Sequence, residues 1–216
     1  DGTLDNSFTS IAGLQANAII QLSDGKILLG GGLVGGVKRL NASGTIDNSF
    51  AVLDDMDGTV SDLALQSDNK IIAIGSFSEF DGVPVNNIVR LQQDGTVDLD
   101  FKTGRAFPFT VGLQLTTVKV LPNDKILIVG EYVSFNNVTR NRILLLNADG
   151  SLDCTFDAQA GPDATITDAA IQTDGKILIT GSFTSYETIS RNALARVTYL
   201  NGNFPPIITS FSPVAA

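Results

Sequence analysis

Histidine is absent from the 216 residues, and cysteine occurs once. Without histidine, Ser-His-Asp triads, His-ligated zinc and imidazole acid–base chemistry are excluded together. Cys154 has no second cysteine to pair with in the chain, and at a polar turn position it reads as an incidental thiol. Basic residues are also scarce, with 14 Lys and Arg against 23 Asp and Glu for a net charge of −9. Binding nucleic acid through its phosphates needs a basic stripe, and none is visible, so nucleic acid is not an expected partner. The negative charge serves solubility instead. No run of about 18 apolar residues occurs, so no membrane insertion is expected. Neither a signal peptide nor an initiator Met is present. The chain opens at Asp1-Gly2, inside a repeat unit, which reads as a processed or excised piece of a longer protein.

What is abundant is repetition. Lys26-Ile27-Leu28-Leu29-Gly30 returns as Lys70-Ile71-Ile72-Ala73-Ile74-Gly75, as Lys125-Ile126-Leu127-Ile128-Val129-Gly130 and as Lys176-Ile177-Leu178-Ile179-Thr180-Gly181. A second phrase, Gly-Thr/Ser-aliphatic-Asp-x-x-Phe, begins at Gly2, Gly44, Gly95 and Gly150. Self-similarity at a period of about 50 residues marks a repeat architecture. A residue required four times is required by the fold, so the repeated positions speak for architecture before function. Hydrophobic residues at 43% with 21 Gly support a buried core cut by many turns.

Each unit reads as strands. Val60 to Gln66 alternates imperfectly and ends at Ser67-Asp68-Asn69-Lys70. The matching turns are Ser23-Asp24-Gly25-Lys26, Pro122-Asn123-Asp124-Lys125 and Thr173-Asp174-Gly175-Lys176. Their Asp-Gly, Asp-Asn and Asn-Asp pairs tolerate positive φ, and predict tight hairpins with two-residue type I′ loops. The next strand, Lys70 to Phe77, is nearly continuous in apolar residues, which predicts cover on both faces. A third strand lies at Ile88 to Leu91, echoed by Val37 to Leu40, Ile143 to Leu146 and Leu194 to Val197. The Gly-Thr-Val-Asp phrase opens a shorter fourth element. Four antiparallel strands in about 50 residues make one propeller blade. The expected fold is therefore an all-β propeller of four-stranded antiparallel blades, with units near 1–43, 44–94, 95–149 and 150–204. Two closures are open: a four-bladed ring completed by Gly2 to Phe8, or an arc of a larger propeller.

Between the second and third strands lies a longer loop. Phe80-x-x-Val83-x-x-Asn86 matches Phe135-x-x-Val138-x-x-Asn141 and Tyr186-x-x-Ile189-x-x-Asn192. In the first unit Gly30 to Gly36 leaves no room for it, so one blade presents a different surface. Phe80, Phe135 and Tyr186 are candidate binding residues. Exposed on a rim they would stack on sugars or anchor a protein; packed inward they would staple their own loop to the blade.

In sum these motifs, "DGKI" with its strand, the aromatic loop and "RLxxDGTxDxxF", resemble the bacterial delta-sixty repeat, a β-propeller of unknown function. The resemblance spans roughly residues 1–200. It implies a secreted or surface-exposed bacterial protein, commonly large and multi-domain, and carries no catalytic motif. Residues 205–216, opening Pro205-Pro206-Ile207-Ile208-Thr209, resemble the first strand of an immunoglobulin-like IPT/TIG domain, or form a proline-stiffened linker. Flanking domains of the same parent chain are expected in either case.

Metal and catalytic readings rest on the acids. Asn147-x-Asp149-Gly150-x-x-Asp153 resembles part of a calcium loop, but its first ligand would fall on Leu145, and a hard cation needs six to eight oxygens. Asp54, Asp55 and Asp57 form the densest cluster and are the candidate calcium ligands; the alternative is an exposed loop with an Asp-Gly turn. No cofactor is expected beyond that calcium alternative. Glycoside hydrolysis needs two acids in distinct environments. Asp5, Asp47, Asp98 and Asp153 repeat one position, which leaves Glu79, Glu131 and Glu187 as non-equivalent candidates. No acid–base constellation emerges, so the expected function is non-enzymatic: an extracellular binding or spacer module, adhesive in some settings, meeting a protein or a glycan. The alternatives are a carbohydrate-active propeller and a calcium-stabilised scaffold.

Overall fold

A computed structural model describes residues 2–9, 11, 13, 15–32, 36–51, 56–107 and 113–199. The segment at 205–216, read as a linker or an immunoglobulin-like strand, lies outside the described residues, as do Asp54 and Asp55. The chain divides into two compact units, Asp1–Leu99 and Asp100–Ala216. The described residues contain strands, bridges and turns and no helix, so none of them forms a helix able to span a membrane.

The first unit holds β1 (Ala16–Gln21), β2 (Ile27–Gly31), β3 (Val37–Leu40), β4 (Thr59–Leu65), β5 (Ile71–Ser76), β6 (Glu79–Phe80), β7 (Val83–Pro84) and β8 (Ile88–Leu91). The second holds β9 (Gln114–Val120), β10 (Ile126–Glu131), β11 (Ser134–Phe135), β12 (Val138–Thr139), β13 (Ile143–Leu146), β14 (Ile166–Ile171), β15 (Ile177–Gly181), β16 (Ser185–Tyr186), β17 (Ile189–Ser190) and β18 (Leu194–Val197). Each unit carries two antiparallel three-stranded sheets: β1-β2-β3 and β4-β5-β8, then β9-β10-β13 and β14-β15-β18. The predicted second and third strands are where the apolar runs put them. β5 and β10 are buried along nearly their whole length, as continuous apolar strands should be, whereas β15 alternates with Ile177 and Ile179 buried and Thr180 exposed.

Three expectations are corrected. The fourth strand shrinks to a single bridge, Leu40↔Ile46, Leu91↔Val97 or Leu146↔Leu152. The residue after each bridge is an aspartate, and the side chains of Asp47 and Asp153 accept the backbone N–H two residues on, from Ser49 (3.0 Å) and Thr155 (2.9 Å). That Asx turn bends the chain out of the ladder. The Asp-Gly-Lys turns are not two-residue type I′ loops. Only their third residue has positive φ (Gly25 86°, Asn69 62°, Asp124 60°, Gly175 80°). Gly25 N–H bonds Leu22 C=O at 3.0 Å and Leu22 N–H bonds Lys26 C=O at 2.8 Å, the three-residue turn with a G1 bulge. Finally, the long loop is itself a pair of two-residue strands, β6-β7, β11-β12 and β16-β17. The type I′ signature belongs here: Asp81 and Gly82 have φ of 52° and 72°, and Asn136 and Asn137 have 50° and 63°.

The glycine that ends each apolar run is dictated by the neighbouring strand. A Cβ on Gly75 would lie 2.1 Å from the Thr59 carbonyl oxygen, and one on Gly130 would lie 2.1 Å from that of Gln114. The pairing shifts by one residue at these points, so the first strand bulges onto the second and leaves room for a hydrogen only. The glycine of the second phrase answers to the phenylalanine of the phrase before it. A Cβ on Gly95 would meet the Phe50 ring at 2.9 Å, and one on Gly150 the Phe101 ring at 2.6 Å. Beside each ring the next N–H reaches across, Ala51 to Asp94 C=O (2.6 Å) and Lys102 to Asp149 C=O (2.7 Å). The Phe anchors thus clip one repeat to the next, and burying such a ring contributes about 1.5–3 kcal/mol.

Candidate functional site

The repeated charges converge on one structural cluster. Lys26 opens β2, Arg39 lies opposite Leu28 on β3, and both reach Asp47 just past the bridge, at 2.8 and 2.7 Å. Lys70 and Arg90 do the same to Asp98, at 2.9 and 2.7 Å, with Arg90 and Asp98 buried. Hydrogen bonds from Lys26 and then Ser49 hold the Asp47 carboxyl well below the usual carboxylate range. Burial opposes ionisation of Asp153 most, yet the bonds from Lys125 and Thr155 outweigh it and lower its pKa. A buried ion cluster is weak evidence for net stability, since desolvation offsets much of the attraction. What it fixes is register: one strand start, one mid-strand residue and one turn are tied at a single carboxylate. These aspartates serve the fold.

The hairpins β6-β7, β11-β12 and β16-β17 are the parts left over. Phe80, Phe135 and Tyr186, the candidate binding aromatics, are fully buried. Phe80 packs edge-on against Phe77 at 5.7 Å and Phe135 against Phe107 at 5.1 Å, while Tyr186 joins the core of the second unit. They are not rim aromatics and have no face to offer a sugar; each pins its hairpin inward. In the Phe135↔Val138 and Tyr186↔Ile189 pairs the aromatic is buried and its partner, Val138 (40%) or Ile189 (39%), is exposed. Val133 and Leu194 add exposed apolar surface in the same unit. β12 and β17 pair only with their own hairpin partners among the described residues, so each presents an outer edge.

Of the acidic trio read as calcium ligands, only Asp57 is described. Its carboxylate accepts from Ser78 N–H (2.8 Å), Glu79 N–H (3.1 Å) and the Ser78 hydroxyl, and the hydroxyl bond leads in lowering its pKa. It locks the start of β6. Asp163 repeats the device in the fourth repeat, accepting from Thr184 N–H (2.8 Å), Thr184 Oγ1 (2.7 Å) and Ser185 N–H (3.0 Å). Sequence reasoning missed Asp163; the signal was a hydroxyl residue 21 positions downstream in both cases.

Glu131 is also spoken for. It accepts Arg142 Nε (3.0 Å) and Nη2 (2.8 Å) and the Thr165 hydroxyl (2.5 Å). Burial pushes against ionisation most, and the Arg142 and Thr165 bonds still lower its pKa. A glycosidase acid needs the opposite shift. Glu79 contributes its backbone to the Asp57 lock, and Glu187 sits at a hairpin tip with φ 53°. Among the described residues no group of three or more His, Cys, Asp or Glu side chains is placed to hold a metal ion.

With this geometry in view, the family is decided by a model described as a domain of unknown function (DUF5122) beta-propeller, which matches residues 22–50, 66–101, 121–156 and 172–204. The chain belongs to this family. Its DUF5122 repeats each begin at a turn before the apolar run and close on the Phe anchor or its equivalent. No curated protein matches the sequence. Among solved structures, the DUF5122 chain is similar to virginiamycin B lyase from Staphylococcus aureus, at 14% identity and TM-score 0.53 over 92% of this chain and 56% of that one. It is similar to a protein of unknown function from Bacteroides caccae, at 13% and 0.52 over 93% and 61%. It is also similar to YCF48 bound to D1 peptide, at 12% and 0.51 over 95% and 55%. Identities this low show the shared propeller fold alone. The chain spans less than two thirds of the length of each of these structures.

Proposed function

We propose that this DUF5122 propeller is a non-enzymatic binding or spacer module of a larger secreted or cell-surface bacterial protein. The observation that carries the reading is the division of labour among its side chains. The repeated aspartates are engaged by Lys, Arg and turn N–H groups, while the hairpins project exposed aliphatic residues and open strand edges. An edge of that kind takes an extended segment by main-chain hydrogen bonds, with apolar side chains adding affinity. The partner is a polypeptide first and a glycan second, because the aromatics that would stack on sugar are buried. YCF48, similar in fold, has been solved with a peptide, which supports a polypeptide without naming this one.

The test is capture of partners from peptide and glycan arrays by the wild type and by a Val138→Asp/Ile189→Asp variant. Both positions are on the surface, so the variant is expected to keep its melting temperature and lose the captured peptide. Turnover of a polysaccharide by the wild type, or a variant that binds unchanged, would overturn the proposal.

A further inference from the structure

The first and last of the three-stranded sheets each leave bare a position that the repeat otherwise buries. On β1 it is Ile19, 70% exposed, while Leu63, Val118 and Ala169 at the matching register are buried. On β18 it is Leu194, 50% exposed, while Val37, Ile88 and Ile143 at the matching register are buried. Within each unit the usual cover is present. Leu63 lies over Gly30, where a Cβ would meet it at 3.0 Å, and Ala169 shares a core with Val129 and Ile143. Each sheet thus sets one face of its first two strands on the second and third strands of the sheet before it. Ile19, Ile27 and Leu29 make a face of the first kind, turned away from β4-β5-β8. Leu178, Thr180 and Leu194 make one of the second kind, turned away from β9-β10-β13.

The charges are mismatched in the same sense. Residues 2–8 are clipped to the first repeat as Phe50 and Phe101 clip theirs. A Cβ on Gly44 would meet the Phe8 ring at 2.9 Å, and Thr9 N–H bonds Ser43 C=O at 2.8 Å. Yet the Asp5 carboxylate accepts only from Ser7 among the described residues, whereas Asp47, Asp98 and Asp153 each hold a lysine. Lys176 is the converse: it bonds Asp174 of its own turn (2.5 Å). Eight positions beyond Arg39 and Arg90 stand Asp47 and Asp98, but the residue eight beyond Arg196 is Phe204.

We propose that a second copy of this chain covers both bare faces, head to tail. Ile19, Ile27 and Leu29 of one copy rest on Leu178, Thr180 and Leu194 of the other, and Asp5 of the first takes Lys176 of the second. A copy is the occupant because one chain carries both halves: an apolar face with a carboxylate lacking its lysine, and a receiving face with a lysine lacking its carboxylate. Such a heterologous contact either closes or runs on as a filament. Each copy carries four three-stranded sheets, and two copies reach the upper end of the four to eight that propellers use, so closure is at two. The contact uses neither the β12 nor the β17 edge, so it stands or falls apart from the edge-binding reading.

The test is the mass of the whole chain by sedimentation equilibrium, read beside its melting temperature. The wild type is expected to be a dimer. Ile19→Asp and Leu194→Asp are each expected to give a folded monomer, with serine at the same position should an aspartate variant not fold. Asp5→Lys should raise the dissociation constant by about tenfold, since two exposed ion pairs per dimer are lost. Lys176→Glu in the same chain should restore it. A wild type that stays monomeric at its highest soluble concentration, or an open series of larger masses, would overturn the proposal. So would a dimer indifferent to any of the three single changes, or failure of Lys176→Glu to restore what Asp5→Lys loses.

Discussion

Leucine stands at position 145 where the other three repeats carry Arg39, Arg90 and Arg196. A buried aspartate that loses one of its two cations should be left short of donors, yet Asp153 is not. Tyr199 supplies the missing hydrogen bond, and its ring fills the space that the guanidinium leaves. Neither residue is remarkable in the sequence; the substitution at 145 and the tyrosine 54 positions on only become a pair in three dimensions. Tyr199→Phe should therefore cost about 1–2 kcal/mol, the loss of a hydroxyl bonded to charged groups. Leu145→Arg alone should destabilise, because Tyr199 already occupies the site. Combined with Tyr199→Gln it should cost less than the two single changes added together, by about 1 kcal/mol or more. Urea unfolding of the four proteins closes the cycle, and strict additivity would show that the two residues do not substitute for one another.

At the scale of the element, the sequence announced hairpins at the right places and with the wrong turn. Asp-Gly before Lys suggested type I′. Each turn instead spends its aspartate or asparagine side chain on the lysine N–H, as Asp24 does at 3.0 Å and Asp174 at 3.1 Å, and reserves positive φ for one residue. Composition cannot separate these forms, because both want Asp and Gly. The strands of β11-β12 and β16-β17, at two residues each, are too short for a periodic pattern, so the sequence shows only a loop there. Their aromatics were legible as anchors or as binding groups, and only packing chose between the two. Asp163→Ala removes three hydrogen bonds from the start of β16, so the amides of Thr184 and Ser185 should exchange at least tenfold faster. The global stability should fall as well, by less than the local effect. If exchange there is unchanged, the lock is not what orders this hairpin.

For the whole molecule the lowered carboxylates set an acid limit. Asp47, Asp153 and Asp163 lie below the usual range, and Asp149 is lowered to about 2, chiefly by the Ser151 hydroxyl and then by Ser151 N–H. A folded pKa below the unfolded value of about 3.9 contributes stability above that value and loses it as pH falls through the folded one. The melting temperature should therefore hold from about pH 8 to pH 5 and drop steeply between about pH 4 and pH 2. Lys125 is shifted up despite its burial, through Asp153 and Tyr199, so its contribution fades only on the alkaline side of the ordinary lysine range. A melting temperature that rises on acidification, as relief of net negative charge alone would give, would contradict this account. The sequence by itself determined the four repeats, the all-β class and the apolar strands, because those follow from period, turn composition and continuous hydrophobicity. Tertiary structure decided the rest. Whether the aromatic of a two-residue strand is buried, which cation a carboxylate finds, and whether an arginine or Tyr199 completes its bonds depend on residues distant in the chain, 21 positions between Lys26 and Asp47 and 74 between Lys125 and Tyr199, and no local pattern encodes them.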